Sequence, residues 1–350
     1  MSSIAAVHTT LPPHRYTQQQ ITELIADVWR ERGTPSGLLR RLHGSAGVAT
    51  RHLALPLERY ADLGDFGVSN DAFIPAAVEL GARAVTAALE EAGLAPEDVD
   101  IVMSTTVTGV AVPSVEARIA AQVGLRADVK RIPVFGLGCL AGAAGVARMH
   151  DLLRGAPDQV GVLLSVELCS LTLQLGDPST ANMVASGLFG DGAAAVVMCG
   201  TNRAAPGPHV LDSQAHLYPD TERAMGWDVT GNGLQIVLGA EVPELVSTYL
   251  GADVKGFLAA HDLEPGDVSA WVAHPGGPRV LEAVQDSLGL PPEALAVTWR
   301  SLRDIGNLSS ASVLHVLGNT LDECHPPPGS PGVLFAMGPG FASELVLLRW

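Results

Sequence analysis

Leu94-Ala-Pro-Glu-Asp-Val-Asp-Ile-Val-Met103 is echoed 169 residues later by Leu263-Glu-Pro-Gly-Asp-Val-Ser-Ala-Trp-Val272. Each stretch follows an Ala/Leu-rich segment of helical period, turns at Pro and Asp, and enters a run of apolar, strand-prone residues. Similarity at a fixed offset implies two copies of one structural unit. Working outward, Ala117–Leu125 (ARIAAQVGL) corresponds to Val280–Leu290 (VLEAVQDSLGL). Both are helical in period and stop at Gly-Leu, where glycine supplies the left-handed residue that ends a helix. Gly138-Cys139-Leu140 corresponds to Gly306-Asn307-Leu308, and each opens a run of small residues, AGAAGVARMHDLL and SSASVLHVLGNTL. These runs read as buried helices whose backbones approach their neighbours closely. A buried strand follows each, Val160–Val166 and Gly332–Met337. The pattern predicts an α/β protein of two duplicated βαβ-rich halves, residues 1–205 and 206–350, with Cys139 and Asn307 at equivalent positions.

The chain has 350 residues, 47% of them apolar and 17% charged, a globular composition that excludes disorder and fibres. Its formal charge of −16 repels nucleic acid and anionic membrane, so a polyanionic ligand needs a local basic patch. No uninterrupted apolar run reaches the ~18 residues of a membrane span, and prolines interrupt the start, so a soluble cytoplasmic protein is expected. Cys139, Cys169, Cys199 and Cys324 lie far apart, without zinc-site spacing or disulfide-scaffold density, and read as mostly buried reduced thiols.

A cysteine at a helix N-terminus meets unpaired backbone N–H groups and the positive end of the helix dipole, both of which favour thiolate. Cys139 in Gly-Cys-Leu-Ala-Gly is therefore the nucleophile candidate, whereas the other three read as small buried hydrophobes. His274, in Ala-His-Pro-Gly-Gly, is held at a strand end by a fixed turn, while His8, His14, His43, His52, His261 and His325 read as surface residues. Asn307 alone would be a helix cap; paired with Cys139 it reads as an amide donor. Thiolate, imidazole and amide together are the equipment of covalent acyl transfer with oxyanion stabilisation. A rival reading takes Gly136-Leu-Gly-Cys-Leu-Ala-Gly142, with Glu167 ending the next strand, as a dinucleotide turn, but its glycine spacing is not GxGxxG. Gly190-Asp191-Gly192 reads as a plain turn.

These residues carry a resemblance to the type III polyketide synthases, the chalcone-synthase-like branch of the thiolase-fold condensing enzymes, over nearly the whole chain. The matching motifs are Gly-Cys-Leu-Ala-Gly around Cys139, Leu-Phe-Gly-Asp-Gly-Ala at 188–193, His-Pro-Gly-Gly at 274–277, Gly-Asn-Leu-Ser-Ser-Ala at 306–311 and Gly-Pro-Gly at 338–340. The resemblance implies a homodimeric, five-layered αβαβα thiolase-like fold. It implies an acyl starter moved from coenzyme A onto Cys139 and extended iteratively by decarboxylative condensation with malonyl-CoA. His274 and Asn307 would bind the thioester oxygen as it becomes an enolate. No metal or redox cofactor is implied, CoA thioesters being the substrates.

By the same resemblance Phe189 gates the CoA tunnel, Arg41 contacts CoA phosphates, and Gly277, Ser309 and Pro339 belong to the substrate site. Leu38 and Ser45 stand where the family has CoA-binding lysines. Thr172 and Ile236 align with cavity-size positions, Trp227 with a plant glycine and Cys169 with a threonine. Val112, before Pro113, matches the residue inserted into the partner's cavity beside a cis peptide. Glu167 and Ser309 match the aldol-closure hydroxyl network, with Val107 in place of its threonine. Glu167-Leu-Cys-Ser-Leu-Thr favours a bacterial alkylresorcinol or alkylpyrone synthase-like enzyme, and Ile236, Val112, Val107 and Leu171 suggest an aliphatic lining for a fatty starter. The alternatives are a ketoacyl synthase III making one condensation with an acyl carrier protein, and, more distantly, a nucleotide-dependent oxidoreductase.

Overall fold

In the computed structural model, which describes residues 1–31, 33–203 and 205–350, the two echoing stretches fold alike. Pro96–Asp98 and Pro265–Asp267 are single 3-10 turns. In each the aspartate accepts the N–H that opens the turn, from Ala95 at 3.0 Å and from Glu264 at 2.8 Å. The helices Val115–Val123 and Pro278–Leu288 both end on left-handed glycines, Gly124 at φ +86° and Gly289 at φ +65°.

The first half contributes β1 (Ser2–Thr10), the short pair β2 (His14–Thr17) and β3 (Thr50–Leu53), then β4 (Ile101–Thr106), β5 (Lys130–Phe135), β6 (Val160–Leu168) and β7 (Asp191–Cys199). The second contributes β8 (His209–Leu217), the hairpin β9 (Met225–Thr230) and β10 (Gly233–Leu238), then β11 (Ala270–Ala273), β12 (Pro331–Gly338) and β13 (Ala342–Arg349). Strand order is β5-β4-β6-β7-β1 in one half and β11-β12-β13-β8 in the other. β4 lies parallel to β6 as β11 does to β12, while β7 and β13 are antiparallel to both of their neighbours. The duplication is thus one of topology as well as sequence, with β5 an added edge. Pairing of Ser2 with Val210 and Ser3 with His209 joins the halves into one nine-stranded sheet.

Five layers result. Helix Phe66–Ala92 packs outside β1, β6 and β7, helices Val242–Ala259 and Pro278–Leu288 cover the other outer face, and Ala141–Arg154 lies beside Ser310–Glu323 between the two halves of the sheet. Phe66–Ala92 is the one described helix long and apolar enough to cross a membrane, yet half of that stretch is buried inside the fold. In the central layer Ala143, Val146, Ala147, Val313, Leu314 and Leu317 are fully buried. A Cβ on Gly142 would lie 2.2 Å from the Ser310 carbonyl oxygen, so the small residues are what let these two helices meet. Their N-terminal ends, carrying Cys139 and Asn307, are thereby brought to one place.

Candidate active site

Cys139 sits in the 3-10 turn Gly138–Leu140 that leads into the first central helix. Gly138 takes φ +52°, and a Cβ there would strike the Pro339 ring at 2.7 Å. The thiol donates to Ser309 Oγ at 3.7 Å. Ser309 itself holds a positive φ of +48°, an uncommon conformation for a residue with a side chain and one that clusters at functional sites. Asn307 Oδ1 accepts from the Ser309 N–H at 2.8 Å and the Ser312 hydroxyl at 3.5 Å. With its oxygen tied back, the amide turns its Nδ2 toward the Gly276 carbonyl, 3.4 Å away, and leaves a second N–H available. His274 follows β11 directly, its backbone N–H donating to Phe335 O at 3.0 Å and its carbonyl accepting from Gly276 N at 2.9 Å. Both ring nitrogens are buried and have no hydrogen-bond partner among the described residues. Such groups mark a site made for a ligand or a proton.

Cys139, His274, Asn307, Ser309, Gly277, Pro339 and Phe189 line one cavity of about 740 Å³. Trp227 and Ile236, directly paired across the β9–β10 hairpin, line it too. Phe189, Trp227 and Ile236 also border a smaller inner space of about 40 Å³, and Cys169 and Thr172 face only that one. Arg41 lines neither. It lies exposed on helix Gly37–Gly44, whose neighbours Leu42 and Ser45 reach the main cavity. A cation that sequence reading missed, the exposed Arg279, does line the cavity, one residue into the helix that follows His-Pro-Gly-Gly. Its place next to that motif was the available signal.

Several expectations are corrected. Burial pushes the Cys139 thiol up to about 12, the loss of water outweighing the hydrogen-bonding side chains of Ser309 and Asn307 beside it, so the helix terminus alone does not yield a thiolate. The same dry surroundings pull His274 down to about 3. Either charge alone is unfavourable here. Of the four residues suggested for an aliphatic lining, Ile236 alone lines either of these two cavities, whereas Leu171 is packed in the outer core and Val112 is 88% exposed beside the cis Val112–Pro113 bond. Glu167 is reached by Ser310, Thr106, Thr108 and the Val107 N–H rather than by Ser309. Burial raises this carboxyl to about 7. His43 is no surface residue: it is 2% exposed and bonds Thr22 and Ser186. Asp191 is no plain turn residue either, since it is buried at the start of β7 and accepts from Ala54 N, Ser170 N and Ser170 Oγ.

A buried thiol, an unpartnered imidazole and an oriented amide at the meeting point of a duplicated αβαβα frame define a thiolase-type condensing enzyme. Residues 3–202 match the family model of chalcone and stilbene synthases, N-terminal domain, and residues 210–350 match that of the C-terminal domain. The chain is 57% identical to a 1,3,6,8-tetrahydroxynaphthalene synthase of Streptomyces peucetius subsp. caesius, covering 100% of this chain and 93% of the relative. It is 32% identical to a putative chalcone synthase of Bacillus subtilis, covering 100% and 99%. Among solved structures it resembles the bacterial type III polyketide synthase 1,3,6,8-tetrahydroxynaphthalene synthase of Streptomyces coelicolor, with a TM-score of 0.94, 30% identity and 99% of each chain covered. The protein belongs to the chalcone and stilbene synthase family and is a type III polyketide synthase, an acyltransferase that condenses acyl-CoA and malonyl-CoA thioesters iteratively.

Proposed function

We propose that Cys139 carries the acyl chain, that His274 and Asn307 activate malonyl-CoA, and that the product is a fused-ring naphthol of the 1,3,6,8-tetrahydroxynaphthalene type. The observation that carries this reading is the single cavity shared by the three groups. Cys139 passes its proton to His274, and the thiolate attacks the starter thioester and expels the CoA thiolate. Malonyl-CoA then loses carbon dioxide, and the electron pair of the broken bond moves onto the thioester oxygen. That oxygen lies between the free N–H of Asn307 and His274, which stabilise it most when it is charged. The enolate carbon attacks the acyl-cysteine carbonyl, the thiolate leaves, and the lengthened chain returns to Cys139 for the next round. Phe189, at the boundary of both cavities, shields the departing carboxylate from water.

The relative at 57% identity supports the product class. A 1,3,6,8-tetrahydroxynaphthalene has ten ring carbons with oxygens on alternate positions, the pattern of five two-carbon units. One aldol closure expels water at a ring-fusion carbon, and one Claisen closure expels the thiol. Malonyl-CoA alone supplies every carbon, so no fatty starter is needed. Delivery is by CoA rather than a carrier protein, in the cytoplasm where free thiols stay reduced. The working form is a homodimer, a reading supported by apolar Val110, Val112 and Phe135, which are 44%, 88% and 55% exposed.

The test is product mass spectrometry with malonyl-CoA alone, with added acyl-CoAs and with malonyl carrier protein, alongside release of labelled carbon dioxide. Malonyl-CoA alone should give the ten-carbon naphthol. Cys139→Ala should still decarboxylate without making polyketide, and Asn307→Ala should lose decarboxylation. Equal decarboxylation by both variants refutes the Asn307 assignment, and an absolute need for a fatty acyl starter or a carrier protein refutes the product or delivery reading.

A further inference from the structure

A buried cation that the chemistry above does not use lies behind the gate. Arg51, on β3, is 2% exposed; it makes no direct ion pair among the described residues, and the buried Asp191 carboxylate favours its charge from farther off. Its Nη1 donates to two carbonyls, Ser186 O and Phe189 O, each at 2.7 Å, and its Nη2 donates to Gln18 Oε1 at 2.6 Å. Gln18 in turn donates to Gly187 O at 2.7 Å. Leu188 O accepts from the Asn307 N–H at 2.9 Å, and Gly190 N–H returns to Asn307 O at 2.9 Å. The last carbonyls of helix Thr180–Leu188, from Ser186 to Phe189, are therefore all satisfied by groups outside the helix. These are the acceptors a helix end leaves open, at the negative end of its dipole, where a cation is favoured.

The aliphatic stem of Arg51 serves the same junction from the side. A Cβ on Gly306 would lie 3.0 Å from Arg51 Cγ and 2.7 Å from Leu188 O, and one on Gly190 would lie 3.4 Å from the same Cγ. The side chain thus lies flat against both glycines that flank the Phe189–Asn307 bridge. Gate and amide have no independent freedom in this arrangement, because the segment that carries one is bonded to the backbone of the other.

We infer that Arg51 is a positioning residue for condensation: held by Gln18, it ties the end of helix Thr180–Leu188 so that Phe189 and Asn307 face the cavity as one rigid unit. The inference rests on the reading of Asn307 as the enolate's donor. Arg51 borders the small inner space behind Phe189 but does not line the main cavity that holds Cys139, so its loss should change the presentation of the amide and the gate without changing the cavity mouth.

The experiment compares wild-type enzyme, Arg51→Met and Arg51→Lys in two partial reactions. One is carbon dioxide release from malonyl-CoA; the other is acylation of Cys139 by a non-extendable acyl-CoA, read by intact mass. Arg51→Met should lower kcat for decarboxylation on the order of 10²-fold, as a small misplacement of a reacting group does, with KM for malonyl-CoA and the rate of Cys139 acylation nearly unchanged. Arg51→Lys, which keeps a cation and can reach one carbonyl, should recover part of the rate. Combined with Phe189→Ala, Arg51→Met should cost much less than it does alone, because both act on one unit. Should Arg51→Met fail to fold, Gln18→Leu should give the same split at smaller size. Parallel losses in both partial reactions, or full additivity with Phe189→Ala, would reduce Arg51 to a structural role and overturn the inference. Wild-type decarboxylation with undiminished activity in Arg51→Met overturns this inference alone, whereas no decarboxylation by the wild type overturns the reading of Asn307 beneath it.

Discussion

Gly142→Ala adds one methyl group between the two central helices and should be far more damaging to turnover than to folding. The new Cβ would stand 2.2 Å from the Ser310 carbonyl oxygen and 2.6 Å from Val313 Cγ1. Carbon and carbonyl oxygen settle at about 3.3 Å or beyond, and a helical carbonyl cannot rotate away, so the helices must part by about 1 Å. Overpacking of this kind costs roughly 1–3 kcal/mol, of which the better helix propensity of alanine returns about 1 kcal/mol. The protein should still fold, with a slightly lower Tm. Cys139 precedes one helix and Asn307 precedes the other, however, so the same shift separates thiol from amide. A displacement near 1 Å lowers rate on the order of 10²-fold. Steady-state polyketide formation and thermal unfolding measure the two effects. The control is Gly256→Ala, in an exposed helical position with nothing within 4 Å, which should be neutral or stabilising by roughly 0.5–1 kcal/mol at unchanged turnover. Gly142→Ala with wild-type turnover and an equal or higher Tm would refute the argument that glycine sets the distance between the two groups.

Two further outcomes are expected. Arg279→Ala and Arg41→Ala should each raise KM for malonyl-CoA about threefold at low salt with kcat unchanged, because exposed contacts to CoA phosphates are modest and equal in ground and transition states. The effect should vanish by ~0.5 M salt, and an unaltered KM in the double variant at low salt would remove these cations from substrate binding. Acid stability should depend on His315, whose Nε2–H donates to Ala193 O at 3.0 Å and which burial lowers to about 4 from an ordinary 6.5. As pH falls below 6.5 the unfolded chain takes up a proton that the folded chain refuses until about pH 4. This stability is therefore complete above 6.5 and is lost as pH drops through that window. Between pH 7 and 4.5 the loss is about 2 kcal/mol, so His315→Gln should lose that much less over the same interval in urea titrations; an identical loss in both proteins would contradict the buried neutral imidazole.

What could be read without coordinates is what near neighbours in the chain encode. The turns LAPED and LEPGD, the glycines that end helices at Gly124 and Gly289, and the small-residue runs before two buried strands are local patterns, and their repetition carried the fold. Cys139, His274 and Asn307, which the fold brings to one cavity, could be singled out because each sits in a motif constrained over five or six residues. The polar groups beneath them were not. Arg51 meets its carbonyl partners 135 and 138 residues away, Asp191 meets Ala54 across 137, and His43 meets Ser186 across 143, so no local pattern marks any of them as buried. The ionisation of the site was misread for the same reason. A helix terminus is visible in sequence and favours thiolate, but the water excluded by the surrounding layers is not, and its loss is the larger effect at Cys139. The sequence by itself determined a duplicated α/β frame and the chemical groups at its centre; the tertiary structure alone decided how dry that centre is, which distant residues hold it, and which side chains wall its cavity, because burial is a property of the assembled layers and not of any one segment.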